Sequence, residues 1–303
     1  MEPLVRASKV CHNKEEIAVG RDRGRPSPPA NHTGCYGKRV GLRKEGPMEY
    51  QTIKSEKVPS LGLGTWRLSG KECAKAVERA LALGYRHIDT ARMYRNEDEV
   101  GRGIKDSGVD REDVFLVTKV WPSDFSHDDV LRSSRESLRK LGTNYVDLLL
   151  MHWPSESVPL EETLGAMRKL QEQGSVRHIG VSNFSPRLVE EAVQHAAVFC
   201  NQVEYHPYKA RDDLLEQADG MDYLLVAYTP LARGDVLRER ILREIGEARG
   251  KTPAQVALRW LIQQEKVAAI PKATSEEHLR GNLDVFDFKL GDEEMSRISG
   301  LAR

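Results

Sequence analysis

The strongest constraint in this chain is an alternation. Between residues 61 and 271, short apolar runs take turns with longer segments whose apolar residues recur at helical spacing. The runs are 61–66, 86–90, 114–120, 146–152, 176–182, 199–204, 223–229 and 267–271. The helical patterns lie at 71–83, 96–105, 127–141, 160–173, 186–196, 212–218, 236–249 and 253–264. Glycines 84, 142 and 174 close three of them, as a left-handed C-terminal residue would. Continuously apolar runs between helices predict parallel strands joined by right-handed crossovers. Eight such units in this length predict a closed (β/α)8 barrel, preceded by a small hairpin at 50–59. An open dinucleotide-binding sheet is the rival fold. Against it, Gly62 and Gly64 are followed by Arg67 where the third glycine of G-x-G-x-x-G would stand.

The first 47 residues read differently. They are basic, rich in Gly and Pro, and poor in large apolar side chains, so they predict a disordered extension before a barrel at 48–303. Cys11, His12, His32 and Cys35 match no zinc-ligand spacing, and no metal is expected. Overall, 46 basic residues balance 46 acidic ones, which argues against a nucleic-acid partner. The four cysteines show no paired spacing, and no apolar run is long enough to span a membrane. The expectation is a cytoplasmic monomer with no membrane partner.

Chemistry-bearing side chains gather where the strands end, the edge at which barrel active sites form. Asp89 ends the second run, and Tyr94 follows in the loop. Lys119 ends the third run and His152 the fourth. A carboxylate, a phenol, an amine and an imidazole on one rim make a proton-transfer constellation.

Three blocks of sequence carry a resemblance: G-Y-R-H-I-D-T-A-R-M-Y-R-N-E-D-E-V-G from Gly84, L-Q-E-Q-G-S-V-R-H-I-G-V-S-N-F ending at Phe184, and I-P-K-A-T-S-E-E-H-L-R-G-N-L from Ile270. With them, the chain from about Met48 onward resembles the aldo-keto reductases, most of all the short-looped prokaryotic members. The resemblance implies the (β/α)8 barrel and NAD(P)H-dependent reduction of a carbonyl. It places the catalytic tetrad on Asp89, Tyr94, Lys119 and His152. Tyr94 would be the acid, Lys119 would ease its proton release, Asp89 would hold Lys119, and His152 would orient the carbonyl.

It also implies coenzyme contacts at Ser182, Asn183 and Gln202 for the carboxamide, and at Tyr228 for the nicotinamide ring. Thr229 and Leu231 would line the pyrophosphate path, and Asn282 would meet adenine. Lys272 would hold the 2′-phosphate of NADPH, with Thr274 and position 278 nearby. Here the chain departs from the pattern. Ala273 stands where Ser or Thr is usual, and His278 where Arg is usual, which implies weaker selectivity and usable NADH. Trp66, Met93, Trp121, His152 and Trp153 would form the substrate cup. The short loop 231–236 implies an open pocket for small carbonyl substrates: aromatic aldehydes, α-ketoaldehydes or diketo sugar acids. The alternative reading is a coenzyme-binding regulatory or scaffold protein on the same fold.

Overall fold

The computed structural model describes residues 48–302. The expected extension at 1–47, with its Cys and His residues, lies outside the described residues. The hairpin forms as expected: β1 (Tyr50–Ile53) pairs antiparallel with β2 (Glu56–Pro59). Lys54 and Ser55 both take positive φ, the geometry of a tight two-residue turn. The Lys54 amide is anchored 2.9 Å from Asp222 Oδ2.

The barrel strands follow in chain order: β3 (Leu63–Gly64), β4 (His87–Asp89), β5 (Phe115–Val120), β6 (Val146–Met151), β7 (Val176–Ser182), β8 (Val198–Glu204), β9 (Leu224–Tyr228) and β10 (Val267–Ala269). Each pairs in parallel with the next. A parallel bridge from Leu61 to Ala269 closes the sheet, with Gly62 N to Ala269 O at 2.8 Å and Gly64 N to Pro271 O at 3.1 Å. Gly64 is required at this seam, because a Cβ there would lie 2.7 Å from Ile270 O.

The outer layer consists of α1 (Gly70–Ala82), α2 (Glu97–Ser107), α3 (His127–Leu141), α4 (Leu160–Glu172), α5 (Pro186–Ala192), α6 (Asp212–Met221), α7 (Arg240–Arg249), α8 (Pro253–Ile262), α9 (Glu276–Leu283) and α10 (Asp292–Ser299). Their apolar faces bury against the outward residues of the strands in one continuous core. The inward residues form a second cluster, including Phe115, Val117, Leu148, Leu150, Leu224 and Val226. Ile53 and Val58 of the hairpin belong to that inner cluster, so the hairpin plugs one mouth of the barrel. A bulge between β7 and β8 inserts Phe199, which stacks on His178 at 4.0 Å.

Several elements differ from the sequence expectation: the helix expected at 186–196 ends at Ala192, the last strand ends at Ala269, and two others change where the site is built. The first strand is shorter, because beyond Gly64 its backbone turns to carry Thr65 and Trp66. The helix expected at 236–249 begins only at Arg240, with Glu239 capping it through the Ile241 amide. Residues Ala232–Arg238 instead make a 3-10 segment interrupted by left-handed Arg233 and Gly234. Apolar spacing alone does not reveal that break.

Candidate active site

The side-chain period of two decides what enters the barrel. On β4 it turns His87 and Asp89 inward, and on β5 Phe115, Val117 and Lys119. On β6 it does the same for Leu148 and Leu150, and for His152 one step past the strand. Apolar side chains fill the lower levels. On these three strands the last inward residue is polar, so the polar groups share one level at the C-terminal mouth.

There Lys119 is buried, with 1% of its surface exposed. Its ammonium donates to Asp89 Oδ1 at 2.6 Å and to the Thr90 carbonyl at 2.8 Å. It lies 5.2 Å from the centre of the Tyr94 ring. Gln202 Nε2 donates to the other Asp89 oxygen at 2.7 Å. The Tyr94 and His152 rings meet edge to face at 5.6 Å.

The charges follow from this packing. Burial by itself lowers the Lys119 pKa, but Asp89 and then Tyr94 raise it more, and it ends above the ordinary lysine value. Burial pushes the Tyr94 pKa up, while Lys119 pulls it down and Asp89 adds to the rise. Lys119 therefore lowers the proton affinity of the phenol, and burial outweighs it. Burial, then Lys119, lowers His152 to about 3, so its imidazole is neutral at physiological pH. His152 Nδ1 is buried without a hydrogen-bond partner among the described residues.

Above this level opens a cavity of about 680 Å³. Of the residues singled out from sequence, Trp66, Asp89, Met93, Tyr94, His152, Trp153, Ser182, Asn183, Gln202, Tyr228, Thr229, Leu231 and Lys272 line it. Lys119 lies beneath its floor. Trp121 does not line it: the strand has ended at Val120, and the indole sits edge-on to His152 at 5.1 Å. Thr274, His278 and Asn282 lie beyond the lining, at the start and along the length of α9. Ser275 caps that helix through the His278 amide, and Asn282 is buried. Ala273 is also buried, packed in the outer core. Arg280 is held by Glu276 at 2.7 Å.

Sequence reasoning missed Arg67, Glu204 and Arg233, which also line the cavity. Glu204 was legible, being two residues beyond Gln202 on the same strand face. Arg67 and Arg233 owe their place to left-handed backbone, with φ of 64° and 56°.

The chain matches the Aldo/keto reductase family over residues 60–303. It belongs to the aldo-keto reductases. It is 42% identical over 253 residues to a 9,11-endoperoxide prostaglandin H2 reductase of Trypanosoma cruzi, across 82% of this chain and 89% of that one. It is 40% identical over 247 residues to a glyoxal reductase of Bacillus subtilis, across 80% of this chain and 89% of that one. Among solved structures, a putative 2,5-diketo-D-gluconic acid reductase B superimposes with a TM-score of 0.83 at 46% identity, across 86% of this chain and 93% of that one.

Aldo-keto reductases are oxidoreductases of carbonyl groups that use nicotinamide coenzymes. The cavity of this aldo-keto reductase fits the amide end of such a coenzyme by its donor and acceptor set. Gln202 spends its N–H on Asp89, leaving Oε1 without a partner among the described residues. Asn183 donates to the His152 carbonyl at 3.2 Å and to Ser182 Oγ at 3.0 Å, and its Oδ1 accepts from Tyr228 at 2.8 Å. That oxygen keeps one lone pair. Two amide acceptors beside the cavity suit the NH₂ of a carboxamide.

Proposed function

We propose that this protein reduces small aldehydes and ketones to alcohols, using NADPH and also accepting NADH. One observation carries the reading: a fully buried ammonium, bonded to Asp89, lies against the ring of a tyrosine that shares a cavity with a neutral histidine.

The coenzyme, when bound, supplies hydride to the carbonyl carbon. Tyr94 donates its proton to the carbonyl oxygen as negative charge develops there. Lys119 stabilises the phenolate left behind, and Asp89 keeps Lys119 charged and in place. Gln202 in turn fixes the Asp89 carboxylate. His152 offers an N–H to the substrate oxygen, and its low pKa keeps it from carrying a charge of its own.

Asn183, Gln202 and Ser182 hold the carboxamide in this reading, and Tyr228 stacks on the ring. Thr229 and Leu231 follow the pyrophosphate, and Asn282 meets adenine. Lys272, Thr274 and His278 face the 2′-phosphate end. Trp66, Met93 and Trp153, each 43% exposed, gather at the mouth as an apolar rim for the substrate. The names of the relatives (glyoxal reductase, methylglyoxal reductase, 2,5-diketo-D-gluconic acid reductase) support small, oxygen-rich carbonyl compounds.

The test follows reduced-nicotinamide absorbance with NADPH and NADH against methylglyoxal and aromatic aldehydes, for wild type beside Tyr94→Phe. Turnover in wild type, reduced by about a hundredfold or more in the variant, is expected. Turnover that survives the substitution would remove Tyr94 as the acid.

A further inference from the structure

Tyr94 sits on a single 3-10 turn, Arg92–Tyr94, between the end of β4 and the start of α2, and no strand holds it. Its position must come from side chains nearby. Two residues on is Asn96, which is fully buried. Asn96 stands at the N-cap position of α2, yet its side chain makes no capping bond to that helix. It is spent elsewhere. Its Nδ2 donates to the Thr65 and Leu68 carbonyls, both at 2.9 Å, and its Oδ1 accepts from the Thr90 hydroxyl at 2.7 Å. Thr65 and Leu68 bracket the turn that carries Trp66. Thr90 is used twice, since its carbonyl also receives the Lys119 ammonium at 2.8 Å. Glu97, buried beside Asn96, accepts from Thr118 Oγ1 at 2.7 Å, and Thr118 directly precedes Lys119 on β5.

We propose that Asn96, supported by Glu97, is a positioning residue: it fixes the Tyr94 turn against the Lys119–Thr90 contact and locks it to the turn bearing Trp66. A helix cap would be satisfied locally. This amide instead joins three segments that each present a group to the cavity. Three short bonds around a group without solvent access leave no place for water to substitute. Loosening them frees the phenol relative to the ammonium without touching substrate or coenzyme.

The inference rests on Tyr94 being the proton donor, so the experiment includes Tyr94→Phe. Asn96→Ala in the full chain should lower kcat about 10- to 100-fold, the cost of a misplacement near 1 Å. Coenzyme affinity by fluorescence quenching should stay within about threefold of wild type, since no coenzyme contact is removed, while KM for the aldehyde rises with the freed Trp66 turn by less than kcat falls. The alkaline limb of the kcat profile should move to higher pH, because Lys119 would hold the phenol's proton affinity down less well; a smaller folded fraction would not move it. Thr90→Val deletes only the hydroxyl, and should lower kcat about fivefold with the same pattern. If Asn96→Ala does not accumulate folded, Thr90→Val alone decides. Wild-type kcat in the folded variants, or coenzyme affinity failing in step with kcat, overturns the proposal. A fully active Tyr94→Phe would instead overturn the reading of Tyr94 itself.

Discussion

Replacing Asp89 with Asn tests the electrostatic centre of the site. Asparagine keeps the size and an acceptor for Lys119, but loses the charge and the second acceptor, which Gln202 Nε2 uses. Lys119 is 1% exposed, and its other hydrogen-bond acceptor, the Thr90 carbonyl, is neutral, so no water or second carboxylate replaces what is lost. Removing one partner of a buried pair typically costs about 3–5 kcal/mol. For a chain of this size that corresponds to a melting temperature lower by roughly 5–10 °C. The pH dependence separates this cause from a packing defect. In wild type the Lys119 pKa is raised, so its stabilisation is complete below the ordinary lysine value and is lost only as pH climbs through the raised one. Without Asp89, burial dominates and the folded-state pKa drops below the ordinary value. The unfolded chain then binds the proton better, and the variant recovers stability as pH rises through that window. Thermal melts of wild type and Asp89→Asn from pH 6 to pH 10 should show a gap that narrows with pH. At pH 7, kcat should fall by about a hundredfold or more. A gap below about 2 °C, or one that is constant across the range, would refute the dependence of the ammonium on this carboxylate.

Two further outcomes follow from the same geometry. His278 is exposed in the first turn of α9, Lys272 has no ion-pair partner among the described residues, and Arg280 is tied to Glu276. His278→Arg should therefore raise the NADPH-to-NADH ratio of kcat/KM about 5- to 10-fold, the worth of roughly one charge-assisted contact at an exposed site; an unchanged ratio would detach this position from the coenzyme. His152, with a pKa near 3, should remain neutral by NMR down to pH 5. Its depressed value means that it costs stability as pH falls below the unfolded-state pKa of about 6.5. A His152 resonance titrating between pH 6 and 7 would contradict the burial argument.

Much of the site was legible because barrel strands are written in a local code. A mostly apolar run whose inward residues turn polar toward its C-terminal end states where those residues go. Asp89, Lys119, His152 and Gln202 all follow this rule, and the hairpin and most helices fell where spacing and terminal glycines put them. Trp121 shows the limit of the rule. One step past its strand it stood in line for the cavity, but the chain turns at Pro122, and the indole supports His152 instead.

What the sequence determined alone is the order and period of the elements, since these are properties of neighbours along the chain; the resemblance to the family rested on three blocks of sequence. The tertiary structure decided the contacts between residues far apart in that order. Gln202 reaches Asp89 across 113 positions, and Asn96 leaves its own helix to hold the turns at Thr65 and Thr90. The proton affinities belong to the same class. Whether Lys119 or burial governs Tyr94 depends on how completely water is excluded, and that is set only when the eight strands close.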